Sequence, residues 1–319
     1  MDIVILALSF LISLTLTLIL YSRLIPQFKK LKMHQSISEY ALKEFKEKEI
    51  TPTLGGTVFV TVTTGVSLVL TKFDVFNFNY VLVLLTFIGY SLIGFLDDYK
   101  IIRDGKNDGL SPKIKLMLQL VLAIIFTWVY LNNAPGTLKV PFIDDPLNLG
   151  IFYSLLVIFM FVGSSNAVNL TDGMDGLSSG TSIIALIPFT IFALQQRQLS
   201  LAIFFFSLLG SLLGYLYFNR KPAKIYMGDC GSLALGGMFA ASALVLKKEL
   251  LLIVIGGVFV IETLSVFIQI TSVKLFKKRI FPYTPIHYSF TIKGIREEAT
   301  VKLFYAVGIV FAILGVIFG

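Results

Sequence analysis

Five aspartates stand at the ends of long apolar runs, in the stretches "GFLDDYK", "NAVNLTDGMDGL" and "YMGDCGS". They are Asp97, Asp98, Asp172, Asp175 and Asp229. An unpaired carboxylate close to hydrocarbon is costly, so an acid in such a place lies either at the water boundary or in a functional site. Each of the three junctions combines an aspartate with a glycine or a second aspartate, which favours one shared site.

The chemistry that such a set favours is the binding of a hard cation together with phosphate. Mg²⁺ prefers carboxylate oxygen and is usually held by one or two carboxylates and by substrate phosphates, a task that suits Asp172 and Asp229. Neighbouring glycines let backbone N–H groups approach a phosphate, and lysines neutralise its charge. The lysines at these junctions are Lys100, Lys113, Lys115, Lys221 and Lys224. A single aspartate at a helix end is also an ordinary cap, so only the combination indicates a site.

The elements that must position these residues are apolar runs. The chain has 319 residues, of which 56% are hydrophobic, and a mean hydropathy of +0.84, which places it in the membrane class. Ten runs are long enough to cross about 30 Å of hydrocarbon as helices. They cover about 3–22, 54–71, 80–96, 114–131, 149–168, 176–194, 199–218, 231–246, 250–273 and 300–319. We therefore predict an all-α, polytopic integral membrane protein with about ten transmembrane helices, in which residues 1–319 form a single domain.

Two smaller features follow from the same pattern. Asp2 stands where a cleavable signal has a basic residue, which predicts that the first run is a span. The polar stretch 132–150, rich in Pro, Gly, Asn and Asp, predicts turns and a small hairpin.

Lysine and arginine are distributed unevenly between the connecting segments. The segments 23–52, 97–115, 217–231 and 274–299 contain 7, 5, 3 and 6 of them, whereas the alternating segments 72–79, 132–149, 195–198 and 247–249 contain 1, 1, 1 and 2. By the positive-inside rule the first set is cytoplasmic and both termini lie outside. The net charge of +8 then reflects topology, so nucleic acid is not expected as a partner. The expected active-site loops are about 23–53, 97–115, 166–176, 217–232 and 274–299.

Six motifs in a fixed order carry a family resemblance. They are "TPTLGG" (51–56), "GFLDDYK" (94–100), "NAVNLTDGMDGL" (166–177), "FNRKPAKIYMGDCGS" (218–232), "ETLSVFIQI" (262–270) and "PIH" (285–287). Together they resemble the polyprenyl-phosphate N-acetylhexosamine-1-phosphate transferase superfamily, and "TPTLGG" favours its phospho-N-acetylmuramoyl-pentapeptide transferase branch.

This resemblance implies transfer of phospho-N-acetylmuramoyl-pentapeptide from its UDP conjugate to undecaprenyl phosphate, which gives lipid I and UMP in peptidoglycan synthesis and requires Mg²⁺. It also implies ten spans, a homodimer, and a bacterial plasma-membrane location with the active site on the cytoplasmic face.

Two alternatives remain open at the level of sequence. One is a sister transferase that uses UDP-N-acetylglucosamine. The other is a secondary transporter. Glu262 favours this alternative because it lies about halfway through the ninth run, where an acid is a functional candidate by default. Cys230 is the only cysteine, and His34 and His287 are the only histidines, so neither an intramolecular disulfide nor a zinc site is expected.

The resemblance also assigns roles to individual residues. Asp97 and Asp98 are the expected acid pair beside the lipid phosphate, with Asp97 as the base. Asp229 is the expected principal metal ligand, and Asp172 is a catalytic acid that shares the metal. His287 is kept in "PIHYSFT", where the family has further histidines after it, and is expected to be catalytic. The expected substrate-binding residues are Lys48, Thr53, Lys113, Asn166, Gly173, Met174, Asp175, Asn219 and Tyr226.

Overall fold

The computed structural model describes residues 2–31, 33, 51–105, 108–143 and 145–319. Its helices, in chain order, are α1 (Asp2–Lys30), α2 (Gly55–Leu70), α3 (Phe78–Asp104), α4 (Pro112–Leu131), α5 (Ile151–Thr171), α6 (Leu177–Gln195), α7 (Leu199–Asn219), α8 (Gly228–Val245), α9 (Glu249–Ile255), α10 (Gly257–Phe276), α11 (Ile286–Ile292) and α12 (Glu297–Ile317). Lys48, and with it most of the expected loop 23–53, lies outside the described residues.

Every apolar run that the sequence shows becomes helical. Nine helices in the described ranges are long and apolar enough to cross a membrane, and α2, with 16 residues, is a shorter apolar helix. The ninth run is interrupted at Gly256, which separates α9 from α10. The prediction of an all-α polytopic membrane protein is confirmed, and α2 accounts for the difference between ten runs and nine long helices.

The helix α8 lies at the centre of the bundle. Every residue from Cys230 to Val245 is buried, and α2, α3 and α5 all pack against this helix. Small residues allow the close approach, because they let helix backbones come together. A Cβ atom built on Gly94 of α3 would lie 2.1 Å from the carbonyl oxygen of Asp229. This contact brings the end of α3 to the beginning of α8.

The polar stretch between α4 and α5 contains the predicted hairpin. Its strands β1 (Thr137–Leu138) and β2 (Leu147–Asn148) pair antiparallel. The Lys247 ammonium, in the turn after α8, donates a hydrogen bond of 2.7 Å to the carbonyl oxygen of Pro135. The hairpin therefore caps the end of the bundle opposite to the aspartates.

Candidate active site

Three carboxylates from two helices meet at one end of the bundle. Asp97 and Asp98 lie near the end of α3, and Asp229 lies in the first turn of α8. One oxygen atom from each of the three lies within 4.8 Å of the others. The close packing of α3 on α8 at Gly94 produces this arrangement, because Asp97 follows Gly94 by about one helical turn.

Asp98 is fully buried and is bound to the N-terminus of α8. Its two oxygens accept hydrogen bonds of 3.1 Å from the backbone N–H of Asp229 and 3.0 Å from that of Cys230. These N–H groups have no partner within the helix, and the helix dipole favours a negative charge there. Gly228 has a φ of +73°, and a Cβ atom there would lie 2.4 Å from Asp98 Oδ2. Asp98 thus holds α3 and α8 in register.

Asp97 faces a lysine and a cavity instead. Lys115 Nζ, on the first turn of α4, lies 3.1 Å from Asp97 Oδ1 and 2.5 Å from Asp229 Oδ2. Asp97 also accepts a hydrogen bond of 2.9 Å from the backbone N–H of Leu110. Lys100 donates to the carbonyl oxygen of Gly109 at 2.7 Å, which closes the same loop. These side chains border a cavity of 610 Å³.

The donor set fits a hard divalent cation. Three carboxylates supply only oxygen, which is what Mg²⁺ prefers. Asp229 is partly exposed to the cavity, whereas Asp98 is occupied by α8. Lys115 neutralises part of the clustered negative charge between Asp97 and Asp229. Asp97 and Asp229 are consequently the pair with oxygens directed toward the cavity.

Asp172 lies beside this group, directly after α5. Burial, together with the charges of Asp229 and Asp175, raises the pKa of Asp172 to about 7. Asp229 Oδ1 accepts a hydrogen bond of 2.7 Å from Asn169 Nδ2, whose amide also donates to Ser232 at 2.9 Å. Sequence reasoning missed Asn169, although it lies within "NAVNLTDG", one helical turn before Asp172.

The loop that carries Asp172 is held in shape by Asp175 and Asn219. Asp175 Oδ2 accepts a hydrogen bond of 3.0 Å from the backbone N–H of Ala223. Asn219 Oδ1 accepts one of 3.1 Å from the backbone N–H of Gly176, where φ is +81°. Both expected substrate-binding residues therefore brace the junctions 172–176 and 219–227 against each other.

Glu297, at the start of α12, is a second residue that sequence reasoning missed. It accepts a hydrogen bond of 3.0 Å from the backbone N–H of Asp175, and its other oxygen lies 2.8 Å from Lys221 Nζ. Burial acts to lower the pKa of Lys221, but the contact with Glu297 outweighs it and the pKa is raised. The signal available in the sequence was an acidic pair at the beginning of an apolar run.

Thr53 and Tyr226 lie where "TPTLGG" meets the segment before α8. Thr53 is buried, and its hydroxyl would lie 2.9 Å from a Cβ atom on Gly228. The backbone N–H of Tyr226 donates to the carbonyl oxygen of Pro52 at 2.8 Å, and the backbone N–H of Gly55 donates to the carbonyl oxygen of Tyr226 at 2.8 Å. The motif thus packs directly against the residues that precede Asp229.

Three other expected substrate-binding residues have no contact with Asp97, Asp98 or Asp229 among those described below. Met174 is buried in a small apolar cluster with residues of α6, α10 and α12. Asn166 donates hydrogen bonds of 2.8 Å to Gln119 and to the carbonyl oxygen of Val162. Lys113 is exposed, whereas Lys115 contacts the aspartates.

His287, in the short helix α11, is brought to the Asp172 loop. The side chain is fully buried, and a Cβ atom on Gly173 would lie 2.4 Å from His287 Nε2. The neighbouring Tyr288 hydroxyl donates to the carbonyl oxygen of Gly173 at 3.1 Å. A larger residue at position 173 would have to displace the His287 ring and the Tyr288 hydroxyl, so the glycine allows His287 to lie against the residue next to Asp172.

An apolar groove of 310 Å³ runs along α5 and the α9–α10 segment. One end reaches Ala167 and Thr263, close to the carboxylate end of the bundle, and the other end reaches Glu249. Phe159 and Phe259 line its middle. The groove thus lies among the apolar spans, with one end toward the carboxylate end of the bundle.

Comparisons with known proteins agree with this arrangement. The family model described as Glycosyl transferase family 4 matches residues 80–247. A phospho-N-acetylmuramoyl-pentapeptide-transferase of Geobacillus sp. (strain WCH70) is 45% identical over 314 residues, which are 98% of this chain and 97% of that protein. Proteins of the same name from Bacillus thuringiensis (strain Al Hakam) and Bacillus cereus (strain AH187) are each 47% identical over 297 residues, 92% of both chains.

Proposed function

The chain belongs to the phospho-N-acetylmuramoyl-pentapeptide-transferase family, and on that premise we propose that it transfers phospho-N-acetylmuramoyl-pentapeptide from its UDP conjugate to undecaprenyl phosphate. The products are lipid I and UMP. The observation that supports this most directly is the convergence of Asp97, Asp98 and Asp229 beside Lys115 at one cavity.

The first requirement of this reaction is charge neutralisation. A lipid phosphate and a nucleotide diphosphate repel each other, so a phosphoryl-transfer site needs positive charge where they meet. Bound Mg²⁺ supplies that charge, and Asp229, with Asp172 or Asp97, would hold it. Lys115 lies between Asp97 and Asp229 and adds a further positive charge at the same place.

The second requirement is orientation of the nucleophile. We assign Asp97 to the lipid phosphate, because it borders the cavity while Asp98 is committed to α8. Asp97 would accept the proton of the lipid phosphate and hold its oxygen for direct attack on the diphosphate. His287, beside the Asp172 loop, would donate to the diphosphate, since an imidazole ring donates in either charge state.

The substrates would approach from two sides. The apolar groove between α5 and α10 suits the prenyl chain, because its lining is almost entirely hydrocarbon and its inner end lies near the carboxylates. The nucleotide would bind at the junctions 51–56, 166–176 and 219–227. The residues assigned to these junctions are Thr53, Asn166, Gly173, Met174, Asp175, Asn219 and Tyr226, and Lys48 and Lys113 are assigned to the same substrate from the segments 23–53 and 97–115.

The same proposal covers location and assembly. The excess of lysine and arginine in the segments at the carboxylate end favours a cytoplasmic active site in a bacterial plasma membrane, with both termini outside. The homodimer rests on family resemblance alone.

The test is incubation of the purified protein with undecaprenyl phosphate, Mg²⁺ and one UDP-sugar at a time, with UMP as the readout. We expect UMP release with the muramoyl-pentapeptide nucleotide and little with UDP-N-acetylglucosamine. A reversed preference would support the sister transferase instead, and release with neither nucleotide would contradict the transferase assignment. A parallel reaction with chelator tests the Mg²⁺ requirement.

A further inference from the structure

The helix α10 carries polar side chains on its buried face, at helical spacing. They are Glu262, Ser265, Gln269 and Ser272. Buried polar groups in a span require partners, because hydrocarbon offers none. We call these four residues the polar stripe, and their partners show which segments α10 positions.

Two members of the polar stripe bind the segment between α10 and α11. Gln269 Oε1 accepts hydrogen bonds of 3.0 Å from the backbone N–H groups of Ile280 and Phe281. Ser272 donates to the carbonyl oxygen of Lys278 at 2.7 Å. These contacts fold the segment back along α10 and set the position at which α11 begins.

Glu262 is the member of the stripe that lies deepest in the span. Its side chain is fully buried, and one carboxylate oxygen lies 3.2 Å from His287 Nδ1. The neighbouring hydroxyls do not satisfy it, because Ser265 and Thr263 donate to backbone carbonyl oxygens of α10. Neither carboxylate oxygen makes a hydrogen bond among the described residues, so the imidazole 3.2 Å away is the group placed to compensate the buried carboxylate.

The opposite edge of the same imidazole points at the site. His287 Nε2 is buried and, like Nδ1, makes no hydrogen bond in the described part of the chain. It lies against Gly173, next to Asp172. A carboxylate beside Nδ1 favours a proton on that nitrogen, as the orienting acid does in catalytic triads, and donation from Nε2 as well then requires the doubly protonated ring.

We propose that Glu262 is a positioning residue, which orients His287 so that Nε2 faces the diphosphate at the Asp172–Gly173 loop. This inference rests on the proposed transferase function only for the identity of the group that Nε2 meets. It explains why an acid lies in the middle of a span without a transport role: its partner is a residue of the active site, 25 positions later in the chain.

The first experiment is a double-mutant cycle in the UMP assay. We expect Glu262→Ala to lower kcat at least tenfold with less than a threefold change in the nucleotide KM, and Glu262→Asp to recover part of the loss. In a His287→Ala background, Glu262→Ala should cause little further loss, because the ring that it orients is gone. Ser265→Ala, one turn away on the polar stripe, is the matched control and should leave kcat within twofold of wild type.

The second experiment does not depend on activity. The chain has only two histidines, so a His34→Gln protein with ring-¹⁵N-labelled histidine reports on His287 alone. We expect Glu262→Gln to shift the ring ¹⁵N resonances, which report tautomer and charge, while Ser265→Ala leaves them in place.

Three results would be decisive. Equal losses from Glu262→Ala with and without His287, or unchanged ring resonances in Glu262→Gln, would overturn the positioning role. A resonance shift in a protein that releases no UMP from any nucleotide would leave the pairing intact and overturn the proposed function.

Discussion

The Asp98 carboxylate accepts a hydrogen bond of 3.1 Å from the backbone N–H of Asp229, the residue whose own carboxylate completes the acidic group. One aspartate therefore fixes the backbone that presents another. Adjacent residues on a helix point about 100° apart, so Asp97 faces Lys115 and the cavity while Asp98 faces α8. This difference in environment predicts a difference in role.

Asp98→Asn should destabilise the protein, whereas Asp97→Asn should mainly remove activity. An amide at position 98 turns an N–H toward an N–H of α8, and leaving a buried donor unpaired costs on the order of 1–3 kcal/mol. Thermal unfolding in detergent, combined with the UMP assay, separates the effects. A stable but inactive Asp98→Asn protein together with an active Asp97→Asn protein would reverse the assignment.

Lys115→Gln should reduce turnover at least tenfold, because it removes the positive charge between Asp97 and Asp229. Lys113→Gln makes the same change two residues away, on an exposed side chain that is assigned to the nucleotide, so it should raise the nucleotide KM and leave kcat close to wild type. The measurement is kcat for UMP release at saturating Mg²⁺. Equal losses of kcat from the two substitutions would show that the two lysines contribute only to the overall positive potential of this surface.

The spans and the end of the bundle that carries the aspartates were predictable from the sequence. Both depend on the length of the apolar runs and on the fact that successive connecting segments lie on alternate sides of the membrane, which are properties that can be read along the chain. The lysine that contacts the aspartates was not predictable, since Lys113 and Lys115 are separated by about 200° around α4 and only tertiary packing shows which one faces inward.

The sequence likewise does not show which of two polar residues on one helix face lies at the level of the site. Asn166 and Asn169 share a face of α5, but the height at which α8 begins decides which amide reaches Asp229. Glu297 contacts Asp175 from 122 residues away, and a single sequence has no local signal for such a contact. Tertiary placement thus selects among residues that the motif alone leaves equivalent.

The raised pKa of Asp172 predicts a pH dependence of stability in the absence of divalent metal. Burial, with Asp229 and Asp175, raises the pKa from 3.8 to about 7. The folded protein then binds this proton more tightly than the unfolded chain, so stability falls as the pH rises between these values. Melting temperatures in chelator at a series of pH values should show this decline.

The decline should be weaker in Asp172→Asn, which has no carboxyl group to titrate at that position. Asp108→Asn, at an exposed aspartate that also borders the cavity, is the control and should keep the wild-type slope. Identical slopes in wild type and Asp172→Asn would assign the pH dependence to other groups.

Asn169→Ala should raise the Mg²⁺ concentration needed for half-maximal UMP release, by about tenfold. The Asn169 amide donates to Asp229 Oδ1 at 2.7 Å and to Ser232 at 2.9 Å, so it fixes the rotamer of the proposed metal ligand from outside the coordination sphere. Loss of such a supporting contact typically costs 10- to 100-fold in metal affinity or activity. Asn166→Ala removes the same amide from the same helix face, but its partners are Gln119 and the carbonyl oxygen of Val162. It should therefore leave the Mg²⁺ dependence close to wild type, and a larger shift in Asn166→Ala than in Asn169→Ala would refute this role for Asn169.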